Sequence, residues 1–215
     1  MSGLRVRNLV NYPLIASSLE VLDTLKIAPD VVKYEGDGEN SFRVFKEDVR
    51  ILGRQDERPV WNATNQGCFQ VARGANVHIL DFNFQGLNSD TTLIRIDSGK
   101  VILENCDFNR SSEWMIQIAR GGLLELRNTR FSAFSNGAVQ LNGGQIRIFN
   151  SRFDQAGMTA INATSGRLFE AHSVTITNIM GNAIELNSVN EVWLDTMQVI
   201  DSFQDGIEIN ECDYV

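Results

Sequence analysis

An apolar residue that returns every 22 to 24 residues is the feature of this sequence that most restricts its fold. It recurs six times in one register, at Phe84, Phe108, Phe131, Phe153, Ile176 and Val199. The last three phenylalanines close the segments ENCDF, RNTRF and FNSRF, which are 23 and 22 residues apart. A single helix does not produce an apolar position at this spacing, whereas stacked structural repeats do.

Within each repeat, short runs alternate apolar and polar residues, which is typical of a strand with one buried face. One family of runs, the first sheet, ends at Val71, Ile96, Ile118, Leu141, Ala163, Leu186 and Ile209. A second family follows a Gly- or Asn-rich turn, and a third carries the phenylalanine column. Three strands per repeat predict an all-β fold: a single-stranded parallel β-helix of about seven coils with three short sheets. We expect it to be right-handed, because nearly all parallel crossover connections have that hand.

A column of small polar residues lies between the second and third strands. Its members are Asp81, Asn105, Asn128, Asn150, Ser173 and Thr196. Such side chains can bond backbone groups that a sharp bend leaves unpaired, and Asn tolerates a left-handed conformation. We therefore expect a hydrogen-bonded ladder with a structural role.

The two ends of the chain differ from the repeats. Residues 1–40 are predicted to be an N-terminal cap, with a short amphipathic helix from Ser17 to Leu25 in which Ser17 and Glu20 have capping-box spacing. Residues 41–215 are predicted to be the β-helix. The sequence stops just after a first-sheet strand, so we expect either a longer natural chain or a partner that covers this end.

Charge and composition exclude several classes of partner. The formal net charge of −8 argues against nucleic acid and against an anionic membrane surface. Cys68, Cys106 and Cys212 have no metal-binding or redox spacing and are interpreted as ordinary thiols. The sequence contains no signal peptide and no transmembrane segment that we can recognise, and it leaves the compartment open.

Three segments carry a resemblance to a known group of proteins. The run VRILGRQDERPVWNATNQGCFQVARGANVHILDFNFQG and the segments VILENCDF and IRIFNSRF resemble coils of the pectin-lyase-like superfamily of right-handed β-helices. The resemblance covers roughly residues 20–211. It implies the fold rather than one function, because that superfamily includes polysaccharide lyases, glycoside hydrolases, esterases, epimerases, tailspikes and adhesins.

The resemblance also implies where a ligand would lie, which is along the first sheet. The outward positions there are Gln70, Arg95, Gln117, Gln140, Asn162, Glu185 and Glu208. The first five are predicted ligand-binding residues, because amides and an arginine can hydrogen-bond hydroxyls or a uronate carboxylate. A solvated outer face would have a similar composition, so that alternative stays open.

The acidic end of this stripe allows three interpretations. Glu185 and Glu208 should be stacked neighbours with Asp205 beside them. They could be the paired carboxylates of a glycosidase, or they could bind calcium, the only cofactor that the sequence suggests. The third interpretation is an exposed acidic edge whose repulsion is screened by solvent.

Three functions follow from these features. The first is a non-catalytic module that binds a polysaccharide or a protein partner within an oligomer or a longer chain. The second is a polysaccharide lyase or glycoside hydrolase that acts along the first sheet. The third is an architectural shaft, as in a phage fibre or tailspike. The motifs of the best-known catalytic families are absent, and the turns before the first sheet are short, so the sequence favours a protein that is not an enzyme.

Overall fold

The chain forms an all-β parallel solenoid. The computed structural model describes residues 4–6, 24–27, 33–35, 42–44, 49–53, 55, 58–63, 67–71, 74–86 and 92–215. From Phe69 to Asn210 the chain makes about six turns, and every strand pair is parallel. The described ranges contain no helix, and so none that could cross a membrane. The predicted fold class is confirmed, and the hand of the coil stays a prediction.

The first sheet contains one strand from each coil. Its strands are β4 (Phe42–Val44), β7 (Phe69–Val71), β10 (Ile94–Ile96), β13 (Ile116–Ile118), β16 (Val139–Asn142), β19 (Ile161–Thr164), β21 (Ile184–Asn187) and β23 (Ile207–Asn210). Each strand pairs with the strand of the next coil in the order of the chain. The seven runs that the sequence assigned to this sheet are therefore all strands, and β4 adds an eighth.

The second and third families of strands belong to one larger sheet. The second family is β1 (Leu4–Val6), β2 (Thr24–Ile27), β5 (Val49–Leu52), β8 (Asn76–Leu80), β11 (Lys100–Glu104), β14 (Leu123–Arg127) and β17 (Gln145–Phe149). The third family is β3 (Lys33–Glu35), β6 (Val60–Asn62), β9 (Asn83–Gln85), β12 (Asp107–Ser111), β15 (Arg130–Phe134) and β18 (Arg152–Ala156). The two families join because β20 (Leu168–Ile179) and β22 (Glu191–Ser202) are long strands. Each continues from the position of the second family into that of the third, so that β20 pairs with both β17 and β18.

The phenylalanine column forms the centre of the core. Phe84, Phe108, Phe131 and Phe153 have no solvent exposure. Their ring centroids lie 4.7, 4.8 and 4.7 Å apart, with planes inclined by 22°, 13° and 3°. This confirms the inward position predicted for the column. Stacked rings of this kind add stabilisation beyond the apolar area that they bury.

The column of small polar residues between the second and third strands has the predicted left-handed backbone conformation but not the predicted hydrogen-bonded ladder. All six of its residues have positive φ, from 48° at Asn150 to 59° at Asp81. Within the described residues, no side-chain hydrogen bond joins Asn105, Asn128 and Asn150, so the prediction of a ladder through this column is wrong. Asn128, Asn150, Ser173 and Thr196 are exposed, and Asp81 and Asn105 are half-buried.

A shorter hydrogen-bonded ladder lies one residue further along the chain, inside the coil. The Thr129 N–H donates to Ser151 Oγ at 3.2 Å, and the Thr129 hydroxyl donates to the carbonyl oxygens of Leu103 and Arg127. The Ser151 hydroxyl donates to the carbonyl oxygen of Phe149 at 2.9 Å. A residue in the left-handed conformation turns the next side chain inward, where polar atoms need a partner.

The predicted capping helix is wrong in its last turn. Leu25 lies in β2, where it pairs with Leu4 and Ile51. The rest of that predicted helix, from Ser17, falls outside the described residues, and the boundary at residue 40 stays a prediction. The segments SFRVF and VRIL do contain the strands β4 and β5.

Candidate functional site

The outward positions of the first sheet form one continuous column. Strand pairing aligns the seven predicted positions in sequence order, Gln70, Arg95, Gln117, Gln140, Asn162, Glu185 and Glu208. Arg95 is exposed and the other six side chains are half-buried. We call this set the first-sheet column. Adjacent members lie about 4.8 Å apart along the solenoid axis, as parallel strands require.

The N-terminal part of the column is held by two contacts to one carboxylate. The side-chain amide of Gln70 donates to Asp97 Oδ2 at 2.8 Å, and Arg95 Nε donates to Asp97 Oδ1 at 3.0 Å. Asp97 follows Arg95 by two residues and therefore lies on the same face of the sheet. Asp97 thus pairs with the arginine that was predicted to bind a uronate, but the guanidinium is 62% exposed and has further donors.

The middle of the column consists of amides. The Gln117 side chain donates to Gln140 Oε1 at 3.1 Å, and Asn162 lies on the next coil. Each amide carries two donor hydrogens and an acceptor oxygen, so this single contact leaves most of their hydrogen-bonding groups available. The arrangement offers fixed donors and acceptors on a nearly flat surface.

A second row of polar side chains runs beside the column. It consists of Asn142, Thr164, Asn187 and Asn210, which pair in register on consecutive coils. The Asn210 amide donates to Asn187 Oδ1 at 3.1 Å and to Glu208 Oε1 at 2.9 Å. Sequence reasoning missed this row, although each member stands two residues after a column residue and so had to share its face.

Asparagine side chains hydrogen-bond the carboxylates of two of the three acidic candidates, Glu185 and Glu208. Glu185 and Glu208 are register partners, and Glu185 accepts a bond from Asn187 at 3.0 Å. The buried Asn182 amide donates to Glu208 Oε2 at 2.6 Å, and its oxygen accepts the Asp205 N–H at 3.0 Å. Both oxygens of Glu208 are therefore already used as hydrogen-bond acceptors.

The predicted pairing of Glu185 with Glu208 is present, but the described residues form no larger acidic cluster around it. Within the described ranges, no group of three or more His, Cys, Asp or Glu side chains is placed to hold a metal ion. Glu185 and Glu208 neighbour each other across the strand pair, and the side chains that hydrogen-bond them are amides. Catalysis by Glu185, Glu208 and Asp205 and calcium binding by the same three residues stay predictions.

The cysteines are not reactive nucleophiles where they are buried. All three described cysteines are free, and Cys68 and Cys106 are buried. Burial raises the pKa of Cys106 to about 12 and also raises the pKa of Cys68 well above its usual value. Since the thiolate is the nucleophilic form, both behave as small core residues.

The histidines lie on the second sheet, as predicted, but each one contacts a carboxylate there. His78 Nε2 is 3.0 Å from Glu104. His172 Nε2 is 3.0 Å from Glu170 Oε1, and its Nδ1 is 3.4 Å from Asp195. These pairs do not reach the first-sheet column, so they do not assist its carboxylates.

The pKa values of the two histidines are shifted in opposite directions. Hydrogen bonds to Glu170 and then to Asp195 raise the pKa of His172 above 6.5, whereas burial lowers the pKa of His78 below 6.5. The contribution of His172 to the free energy of unfolding is therefore complete below pH 6.5 and is lost as the pH rises through its raised pKa. The contribution of His78 is present above pH 6.5 and is lost as the pH falls through its lowered pKa.

An NMR titration of the two ring signals, assigned with His172→Gln, measures this order directly. The difference in unfolding free energy between the wild-type protein and His172→Gln should shrink as the pH rises. A His78 signal that titrates above the His172 signal would show that the ion pairs of His172 do not persist in solution.

The two tryptophans predicted to point outward differ in exposure. Trp193 is 59% exposed. Trp114 is half-buried, and its ring covers Gly137 in the turn before the first sheet, where a Cβ atom would approach the ring to 2.0 Å. Trp114 therefore packs against the turn that precedes β16, three residues before Gln140.

The fold and the site define a class of protein, a parallel β-solenoid with a polar first-sheet face. No known family model matches this sequence. No curated protein matches it either. Its function must therefore be argued from its own residues.

Proposed function

We propose that this protein is a pectin-lyase-like β-helix that binds an extended polysaccharide along its first-sheet column without cutting it. The observation that carries the proposal is the register of seven polar side chains, one per coil, on a single face. Their spacing of about 4.8 Å is comparable with the length of one sugar ring in an extended chain.

The chemistry of the column favours hydroxyl groups as the ligand. Four of its seven members are amides, and an amide can donate to and accept from a sugar hydroxyl at the same time. The hydrogen bond between Gln117 and Gln140 fixes the orientation of two column amides before a ligand arrives. The hydrogen bond between Asn187 and Asn210 does the same in the second row. Preorganisation of this kind reduces the entropy that is lost on binding.

An aromatic surface supports the same ligand class. Trp114 lies over Gly137, three residues before Gln140, so its ring borders the amide region. An aromatic face beside a row of amides combines apolar contact with hydrogen bonding, which suits a pyranose ring that has both apolar and polar edges.

The same geometry argues against cleavage as the main activity. The turns of the described coils between β12 and β23 are short: the strands of the first sheet from β13 onwards begin within five residues of the preceding strand. The carboxylates of Glu185 and Glu208 accept bonds from Asn187, Asn182 and Asn210, and no histidine of the described residues lies beside them to assist proton transfer.

A double substitution in the amide region tests the proposal. Gln117→Ala with Gln140→Ala should weaken retention on the best-bound polysaccharide about tenfold, because two hydrogen-bonding groups are lost from an exposed face. Affinity electrophoresis against a panel of neutral and uronate polysaccharides measures this loss.

Gln198→Ala is the matched control, because Gln198 is an exposed glutamine on β22, outside the first sheet. It should bind like the wild-type protein. Equal weakening by Gln198→Ala, or unchanged retention in the double variant, would place the binding surface elsewhere.

A further inference from the structure

Two consecutive coils in the middle of the solenoid carry the same pattern at the bend between their second and third strands. Residues 128–131 are NTRF and residues 150–153 are NSRF. In the two coils on either side, the register position of the arginine holds Asn83, Asp107, Thr175 and Gln198. The first-sheet column does not explain this repeat, because β15 and β18 belong to the other sheet.

The two arginines of the pattern lie side by side on one face. Arg130 and Arg152 are register partners in β15 and β18, and both side chains are exposed. Their Cα atoms are about 4.8 Å apart, as in any pair of parallel strands. The next residues, Phe131 and Phe153, are fully buried and stack at 4.7 Å, so the backbone that carries the two arginines is anchored in the core. We call Arg130 and Arg152 the arginine pair.

Neither guanidinium of the arginine pair lies within ion-pair distance of a carboxylate of the described residues. The two carboxylates at adjoining positions of the face have other partners. Asp107 pairs with Arg58 at 2.6 Å. Asp154 Oδ1 accepts the Thr177 hydroxyl at 2.6 Å and the Asn178 amide at 2.8 Å. The Thr177 bond is the main reason that the pKa of Asp154 is lowered, and the two arginines contribute less.

The repulsion within the arginine pair therefore has no compensating contact. Like charges in register on neighbouring strands are unfavourable. The acidic pair of the first sheet, Glu185 and Glu208, is accommodated by asparagine donors. The described residues supply no corresponding acceptor to the arginine pair. An anion between the two guanidinium groups would remove the repulsion, and two positive charges match a dianion.

Two exposed amides border the arginine pair. Asn128 and Asn150 have positive φ values of 50° and 48°, and their side chains are exposed. The residue that follows each asparagine, Thr129 or Ser151, is buried and donates its hydroxyl to a backbone carbonyl oxygen inside the coil. Since this middle residue points inward, the asparagine before it and the arginine after it both stay on the outside. The surface is an array of two amides and two guanidinium groups.

We propose that this array is a binding site for a dianionic phosphate group, either free phosphate or a phosphate monoester. Each guanidinium donates a two-bond fork to phosphate oxygens. A tetrahedral dianion offers oxygens to both forks at once, whereas a carboxylate offers one pair of oxygens and one charge. The amides of Asn128 and Asn150 donate to the remaining oxygens. The site is separate from the first-sheet column and does not depend on the proposed function.

Titration of the complete chain with inorganic phosphate tests the proposal, with the arginine Nε–H signals followed by NMR. The signals of Arg130 and Arg152 should shift together and saturate. Arg130→Gln and Arg152→Gln should each weaken phosphate binding about fivefold, because one exposed charged fork is lost. Both residues are exposed, so the melting temperature of each variant should stay close to that of the wild-type protein.

Arg167→Gln is the matched control. Arg167 is also exposed and makes no ion pair with the described residues, but it lies alone in the turn between β19 and β20. This variant should bind phosphate like the wild-type protein, because a single exposed arginine does not provide two forks.

A comparison of anions at equal ionic strength defines the ligand. The measurements are made at about pH 8, where a phosphate monoester is dianionic. Inorganic phosphate and glycerol phosphate should both bind, and the tighter of the two identifies the free ion or the ester as the source of the group. Dimethyl phosphate and glucuronate, which carry one charge each, should bind about fivefold more weakly or worse.

Three results would overturn the proposal. The first is an equal response to glucuronate and to phosphate, which would mean that the arginines respond to ionic strength or to any anion. The second is equal weakening of phosphate binding by Arg167→Gln and Arg130→Gln. The third is the absence of a saturable shift of Arg130 and Arg152 at the highest phosphate concentration in which the protein stays dissolved.

Discussion

Replacing Phe131 with alanine is expected to lower the free energy of unfolding by about 3–5 kcal/mol. The side chain is fully buried, and its ring lies 4.8 Å from Phe108 and 4.7 Å from Phe153, nearly parallel to both. The substitution removes apolar contacts and two ring pairs at once. The neighbouring coils cannot close the cavity, because their backbones are fixed by strand pairing on both sides.

Urea denaturation followed by circular dichroism measures this loss, with Phe203→Ala as the control. Phe203 is 79% exposed, so its truncation should change the unfolding free energy by less than about 0.5 kcal/mol. Solenoids can unfold in stages, so hydrogen exchange in β12, β15 and β18 provides a second reading that does not assume two states. Similar effects of the two substitutions would mean that the ring column is not the centre of the core.

Replacing Gly144 with alanine is expected to lower the free energy of unfolding by about 3 kcal/mol. The glycine is buried in the turn between the first and second sheets. An added Cβ would lie 2.5 Å from the Gly122 carbonyl oxygen of the preceding coil and 2.9 Å from Ile118 Cγ2. Since the nearest atom belongs to the backbone, the coils themselves would have to separate.

Gly206→Ala is the matched control for this substitution. A Cβ there would meet Val199 Cγ1 at 3.6 Å, which is an ordinary van der Waals contact. Its melting temperature should remain close to that of the wild-type protein, or rise slightly because alanine restricts the unfolded chain. If both variants melt alike, the coils are not in contact at the Gly144 turn.

The fold could be predicted because its information is periodic. The column from Phe84 to Val199 has one register throughout, and the alternation in each run assigns an inner and an outer face without any knowledge of loops. Arg43 could have been predicted as an eighth member of the first-sheet column, because the run FRV in β4 has the same pattern as FQV in β7 and pairs with it. Before Phe42 the spacing is irregular, because Leu4, Leu25 and Ile51 pair at intervals of 21 and 26 residues, and for this reason a helix was predicted across Leu25.

The hydrogen-bonded ladder was misplaced by one residue for a physical reason. The small polar residues at the bend were recognised because they repeat, but their positive φ turns them outward. The inward position that follows holds Cys106, Thr129 and Ser151 in three successive coils, and apolar residues in other coils. That mixture gives no clear sequence signal, although polar atoms there are satisfied inside the coil.

The alignment of the first-sheet column could be predicted, but its hydrogen bonds could not. Alternation alone places Gln117, Gln140 and Glu208 on one face. The bond from Asn182 to Glu208 joins a turn to the following coil, so it depends on the turn geometry that periodicity does not specify. The pairing of Glu185 with Glu208 follows from the register and is present, whereas their use as catalytic or calcium-binding groups stays a prediction.

Incubation of the purified protein with a polysaccharide panel, with and without calcium, tests the proposed function most directly. Retention and the release of reducing or unsaturated ends are measured for the wild-type protein and for Glu208→Gln. The proposal predicts retention of at least one polysaccharide, no release, no calcium requirement and little effect of Glu208→Gln on retention. Release of ends that Glu208→Gln abolishes would contradict it in favour of an enzyme, and the absence of retention on every polysaccharide would contradict it in favour of a protein-binding or architectural role.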